Sequence, residues 1–144
     1  MTESRTLPFD LFLSDIKEVE VGRYQEIITA LEETWADLKL DGKALGLAAP
    51  QIGLPFKVAI IRLPGKSYAI VNPRILRRSN SYIVPQEACL SLEQAYATRR
   101  YRRIRIIDEI DGERTIRDQR EALVLQHEVD HLNGITIYDR RRRR

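Results

Sequence analysis

The sequence predicts an α+β fold: a mainly antiparallel sheet packed around one central helix that carries an H-E-x-x-H string. Three observations predict it. Short strand-like runs outnumber helical ones, and the two helical stretches lie far apart in the chain, so no βαβ alternation arises. Asp111-Gly112, between Arg103–Ile110 and Glu113–Arg117, is a two-residue hairpin signal and joins neighbouring strands antiparallel. Finally, the chain's only two histidines, His127 and His131, sit four residues apart in a stretch with helical apolar spacing.

In order along the chain, residues 1–22 read as an extended arm with little periodicity. Met1–Asp15 lacks the apolar core and cleavage site of a signal peptide, so an unexported protein is expected. Ile27, Ile28, Leu31, Trp35 and Leu38 recur at helical spacing and predict a helix over residues 23–38, ending before Asp41-Gly42, with Trp35 in the core. Residues 44–53 are small and apolar except for Gln51. They make either a tight turn with Gln51 satisfied by backbone, or a cleft wall with its amide pointing inward. Strands follow at Lys57–Leu63, ended by Pro64-Gly65, at Tyr68–Val71, ended by Asn72-Pro73, and at Ser81–Val84, ended by Pro85. The second helix is expected over residues 119–133. Asp118 and Glu121 form its capping box and Gly134 its stop, with a last strand at Ile135–Tyr138.

The 144 residues suit one domain, with 43% hydrophobic residues enough for a core. No apolar run approaches the ~20 residues of a membrane span. A single cysteine, Cys89, excludes an internal disulfide and fits a reducing compartment. The net charge of +3 is a property of the end of the chain. Five of the 24 basic residues are Arg140–Arg144; without them 19 remain against 21 acidic ones. The organisation read here is a domain over 1–139 and a basic, disordered tail over 140–144. Arg99, Arg100, Arg102, Arg103 and Arg105 alternate between strand faces, so they read as solvated sheet surface or, alternatively, as a nucleic-acid contact.

Positions four apart on a helix share a face, so His127 and His131 can hold one metal ion together. Glu128 directly follows the first histidine, where it can reach a water at the metal without being a ligand. Cys89 is the natural third ligand, since a thiolate and two imidazoles leave a fourth position open for water. The segments A-L-G-L-A-A-P-Q (44–51), E-A-C-L-S (87–91) and H-E-V-D-H (127–131) then stand in the order and at the spacings of the three motifs of the peptide deformylase family. The chain resembles that family over residues 10–139, and in stopping soon after the third motif it resembles the shorter, phage-encoded members. Ala44 and Ala88 stand where the family has glycine.

The resemblance implies a metal-dependent hydrolase that removes the N-formyl group from the N-terminal methionine of nascent polypeptides and releases formate. It implies Cys89, His127 and His131 as ligands of one divalent ion, Fe²⁺, with Zn²⁺ or Ni²⁺ as replacements. Glu128 is the implied acid–base group, and Gln51 and the Leu90 N–H are the oxyanion donors. Leu45, Leu123 and Val124 are candidate walls of a methionine pocket, with core packing as their alternative role. Arg120 is a candidate for the mouth. Gly46 and Ala88 flank the substrate backbone. Expected partners are N-formylmethionyl nascent peptides and, through the arginine tail, the ribosome; no membrane and no DNA are expected. The expected compartment is the cytoplasm of a bacterium or of a phage-infected bacterial host. Two other readings fit less well. A zinc protease takes a downstream His or Glu as third ligand, and Asp139 is the only acid after His131. A structural metal site would be closed by a fourth ligand, and no further Cys or His exists.

Overall fold

A computed structural model describes residues 15–142. Two three-stranded antiparallel sheets sit around one helix. The first has the order β1 (Gly46–Ala48), β2 (Val58–Leu63), β3 (Lys66–Val71); the second has β4 (Arg74–Glu87), β5 (Tyr96–Asp108), β6 (Gly112–Ile116). The helices are α1 (Gln25–Asp37), α2 (Gln119–Leu132) and the single turn α3 (Ile137–Arg140), with a 3-10 helix over Ala49–Ile52. The α+β class and antiparallel pairing are those the sequence predicts. No helix among the described residues is long and apolar enough to cross a membrane.

The apolar run in β2 is continuous because both faces of the first sheet are covered. Val58 and Ile60 point to one side, joining Leu47 and Val71 against Leu31 and Trp35 of α1. Ala59 and Ile61 point to the other, joining Ile70 against Leu125 and Val129 of α2, with Ile104 and Ile106 of β5 behind them. Thus α2 is packed between the two sheets. Trp35 is core, and its indole N–H donates to Asp41.

Several boundaries differ from the expectations, each for a physical reason. The third strand runs from Arg74 through Pro85 to Glu87 rather than stopping at Val84. The register shift between Val84 and Glu87 absorbs the proline, which lacks a ladder donor and is tolerated at a bulge. The β5–β6 connection is the three residues 109–111, with Gly112 at φ 71°, a left-handed position that glycine takes without strain. Asp118 caps α2 by accepting from the Glu121 N–H, but the reciprocal half of the capping box is missing because Lys66 and Tyr68 hold the Glu121 carboxylate. Ile135–Tyr138 is not a strand: Thr136 and Asp139 form a capping box that starts α3 instead.

The end of the chain also differs. Arg140 closes α3, Arg141 bridges Thr98 of β5, and the Arg142 N–H donates to the Ala97 carbonyl. Three of the five tail arginines are therefore held by β5 and α2. Arg143 and Arg144 lie outside the described residues, as do residues 1–14 of the arm expected over residues 1–22; in its described part Lys17 bridges Phe56.

Candidate metal centre

Helix α2 brings His127 and His131 to one face, with ring centroids 4.5 Å apart. Cys89 comes from the loop just after β4. The donor atoms of Cys89, His127 and His131 all lie within 4.8 Å of one another, and Cys89 Sγ stands 3.4 Å from His131 Nε2. Three soft-to-borderline donors in this spacing suit a divalent transition metal and leave a coordination position open. The electrostatics fit as well. Burial pushes the Cys89 thiol up to about 12 and the His131 imidazole down to about 4, so the histidine stays neutral and the thiol needs a cation to ionise.

Sequence reasoning assigned no role to the shell behind these donors. Glu87 accepts from His127 Nδ1 at 2.7 Å, which leaves Nε2 for a metal. The same carboxylate accepts twice from Arg100, at 2.8 Å each, and from Thr98 Oγ1 at 2.6 Å. Arg100 also donates to Asp130 at 2.7 Å, and Arg140 reaches Asp130 from outside at 3.0 and 3.1 Å. Burial opposes ionisation of Glu87, yet the hydrogen bonds from His127 and Arg100 outweigh it and hold its carboxyl well below the usual carboxylate range. Buried ion pairs of this kind contribute little net stability, but they fix orientation when every member is satisfied. The sequence signal for this shell is faint: Glu87 and Asp130 stand beside ligands inside motifs, whereas Arg100 is one arginine among five.

Glu128 is 3% exposed, and burial raises its carboxyl to about 7, with His127 lowering it and Glu87 raising it. Its Oε1 approaches His131 Nδ1 at 3.3 Å, outside hydrogen-bond geometry. Its Oε2 packs against Gly46, where a Cβ would stand 2.6 Å from that oxygen. Gly46 is thus a glycine because of space, not backbone conformation. Gly46→Ala should displace the Glu128 carboxylate and cut kcat more than tenfold while the ion is kept. Steady-state kinetics with elemental analysis checks this, and unchanged kcat would mean that Glu128 sits elsewhere in solution.

Gln51 combines both roles read from the sequence. Its carbonyl accepts from the Ala48 N–H at 2.9 Å, while its amide donates to Ser91 Oγ at 3.0 Å and lies 4.0 Å from Cys89 Sγ. Among the described residues no acceptor takes the Leu90 N–H. A cleft of about 380 Å³ opens over the cluster. Leu45, Gly46, Gln51, Ala88, Leu90, Leu123 and Val124 all line it, beside Cys89, His127 and Glu128. Arg120 does not; it lines a neighbouring hollow that shares Lys43, Ala44 and Leu45 with the cleft. β1 and β4 are edge strands of their sheets, and Gly46 and Glu87 at their ends both line the cleft. Neither Ala44 nor Ala88 has positive φ, so the two alanines are accommodated without backbone strain.

The polypeptide deformylase family model matches residues 10–144. The chain belongs to the polypeptide deformylase family. The peptide deformylase of Desulfotalea psychrophila is 36% identical over 132 residues, covering 84% of this chain and 77% of that protein. That of Staphylococcus epidermidis is 35% identical over 150 residues, covering 95% and 81%. The crystal structure of the Thermotoga maritima peptide deformylase superposes with a TM-score of 0.80 at 28% identity, covering 99% of each chain. A Met-Ala-Ser-bound class I type b peptide deformylase from Acinetobacter baumannii gives 0.76 at 25% identity, covering 96% of this chain and 99% of that one. The chain is accordingly a deformylase, a metallohydrolase that removes the N-formyl group from nascent polypeptides.

Proposed function

We propose that Cys89, His127 and His131 hold the single divalent ion of this deformylase, and that Glu128, Gln51 and Leu90 carry the chemistry beside it. The observation that carries the reading is the convergence of three donor atoms within 4.8 Å of one another, with Cys89 and His127 in the lining of a cleft that Glu128 and Gln51 also line. Bound there, a divalent cation supplies Lewis acidity that lowers the pKa of a coordinated water toward neutrality. Glu128 takes the proton of the attacking water and returns it to the leaving amine. Burial raises its carboxyl and so favours uptake of that proton. The Gln51 amide and the Leu90 N–H donate to the oxygen that becomes negative as the formyl carbon turns tetrahedral. Leu45, Leu123 and Val124 enclose the methionine side chain. The open edges near Gly46 and Ala88 take the extended peptide as an added strand. The products are formate and a free amino terminus.

The native ion in this reading is Fe²⁺, with Zn²⁺ and Ni²⁺ as functional replacements, since the thiolate–imidazole set accepts all three. The enzyme works in the cytoplasm of a bacterium or an infected bacterial host, where formylated chains are made.

The oxyanion role is testable at Gln51. Gln51→Leu should lower kcat/KM mainly through kcat, because the lost donor acts on charge that exists only in the transition state; one such donor is worth about 10²–10³-fold. A rise in KM alone would make Gln51 a ground-state contact.

The arginine tail serves as an electrostatic anchor to the ribosome, in reduced form, because Arg140 is committed to Asp130. Replacing Arg141–Arg144 by serine should remove salt-sensitive co-sedimentation with ribosomes and leave turnover of a short formyl-methionyl peptide intact. Equal co-sedimentation of both proteins at low salt would end the anchor.

A further inference from the structure

The outward face of the second sheet carries a basic hollow that the deformylase chemistry does not use. Along β5, Ile104 and Ile106 point into the core, so Arg103 and Arg105 point away from it. Arg77 of β4 is the register partner of Arg105, and Ser79 that of Arg103. Thr115 of β6 flanks Arg105 on the other side. Together with Arg117, these six side chains line one hollow of about 190 Å³. Glu113 pairs with Arg105. Among the described residues no carboxylate pairs with Arg77, Arg103 or Arg117.

This arrangement works against the fold. Like charges directly opposite in an antiparallel pair are destabilising, and Arg77 faces Arg105 across the ladder. Two buried or half-buried arginines on the inward side of the same sheet are neutralised within the fold: Arg100 by Glu87 and Asp130, Arg114 by Asp108. Of the four arginines in the hollow, Arg105 has Glu113, while Arg77, Arg103 and Arg117 have no such internal use. They are arginines without a lysine among them, and guanidinium forks match phosphate oxygens two at a time. A membrane surface would call for apolar side chains beside the cations, but the one apolar residue of the hollow, Ile104, is buried.

We infer that this sheet face binds the phosphate backbone of RNA. β5 continues from the hollow to Thr98, where Arg141 pairs with it. Five residues at ~3.4 Å each set Arg103 about 17 Å along β5 from the residue that Arg141 pairs with. None of the residues in the hollow lines the catalytic cleft, so bound RNA leaves the cleft open to peptide. The choice of RNA as the polyanion rests on the reading that the substrate is a nascent chain, which emerges beside RNA.

The test is fluorescence anisotropy of a labelled RNA hairpin across a salt series. It compares the full chain with the Arg77→Gln/Arg103→Gln/Arg117→Gln variant. Losing three phosphate contacts should weaken binding at least about tenfold at ~100 mM salt and flatten the log–log salt slope by about two to three. Turnover of a formyl-methionyl peptide should be unchanged, and Tm equal or raised as repulsion is relieved. Wild-type affinity and slope in the triple variant would overturn the proposal, as would no salt-sensitive RNA binding by the full chain. Tighter binding to a DNA hairpin, or to phosphatidylglycerol vesicles, than to RNA would overturn the choice of partner. Peptide turnover is read separately, so failure of the deformylase reading would appear in that assay alone.

Discussion

Glu128→Gln keeps its bound ion and loses about 10²–10⁴-fold in kcat on a formyl-methionyl peptide, the range typical of a removed general acid–base group. Glutamine has nearly the same shape, so the close packing against Gly46 survives the substitution. Basicity does not survive. The buried carboxylate can take a proton from water and return it to the departing amine, and a carboxamide can do neither. Glu128 is outside the donor cluster, so elemental analysis should still find one ion per chain. Near-normal kcat in a metal-replete Glu128→Gln protein would remove Glu128 from the mechanism.

The second large effect is loss of the ion itself. Cys89→Ser, His127→Ala and His131→Ala should each abolish stoichiometric metal and turnover, because two remaining donors cannot hold an open site. Stability supplies a second readout. The cluster joins the loop after β4 to α2, so a bound ion stabilises the folded chain by mass action. Chelation should therefore lower the Tm of the wild-type protein and leave the Tm of the three variants unmoved. If two of the variants retain one ion per chain, the ligand assignment fails.

Those two predictions were open to sequence reasoning because their residues are local or unique. A pair of histidines at i and i+4 can be read wherever the chain is helical, and the only cysteine needs no map to be noticed. The Gly46 prediction was not open. The sequence offers a glycine in a run of small residues, and only the approach of Glu128 from α2, distant in sequence, explains why a methyl group is excluded.

The same division runs through the whole protein. The sequence by itself determined the α+β class, α1 and α2, the apolar run of β2, the existence of the β5–β6 hairpin and the three motifs of the site, because periodicity, turn chemistry and motif spacing are properties of short segments. Only the tertiary structure decided that β4 continues through Pro85, since a bulge against β5 makes the proline harmless. It decided that residues 137–140 turn into α3, and that Arg140 leaves the tail to bind Asp130. It also sorted the arginines of β5. Arg100 faces inward, where Glu87 and Asp130 neutralise it, while Arg103 and Arg105 face outward. Strand alternation sets which residues share a face, but the direction of that face depends on which other strands and helices cover it. That is a relation between distant segments, and no local pattern contains it.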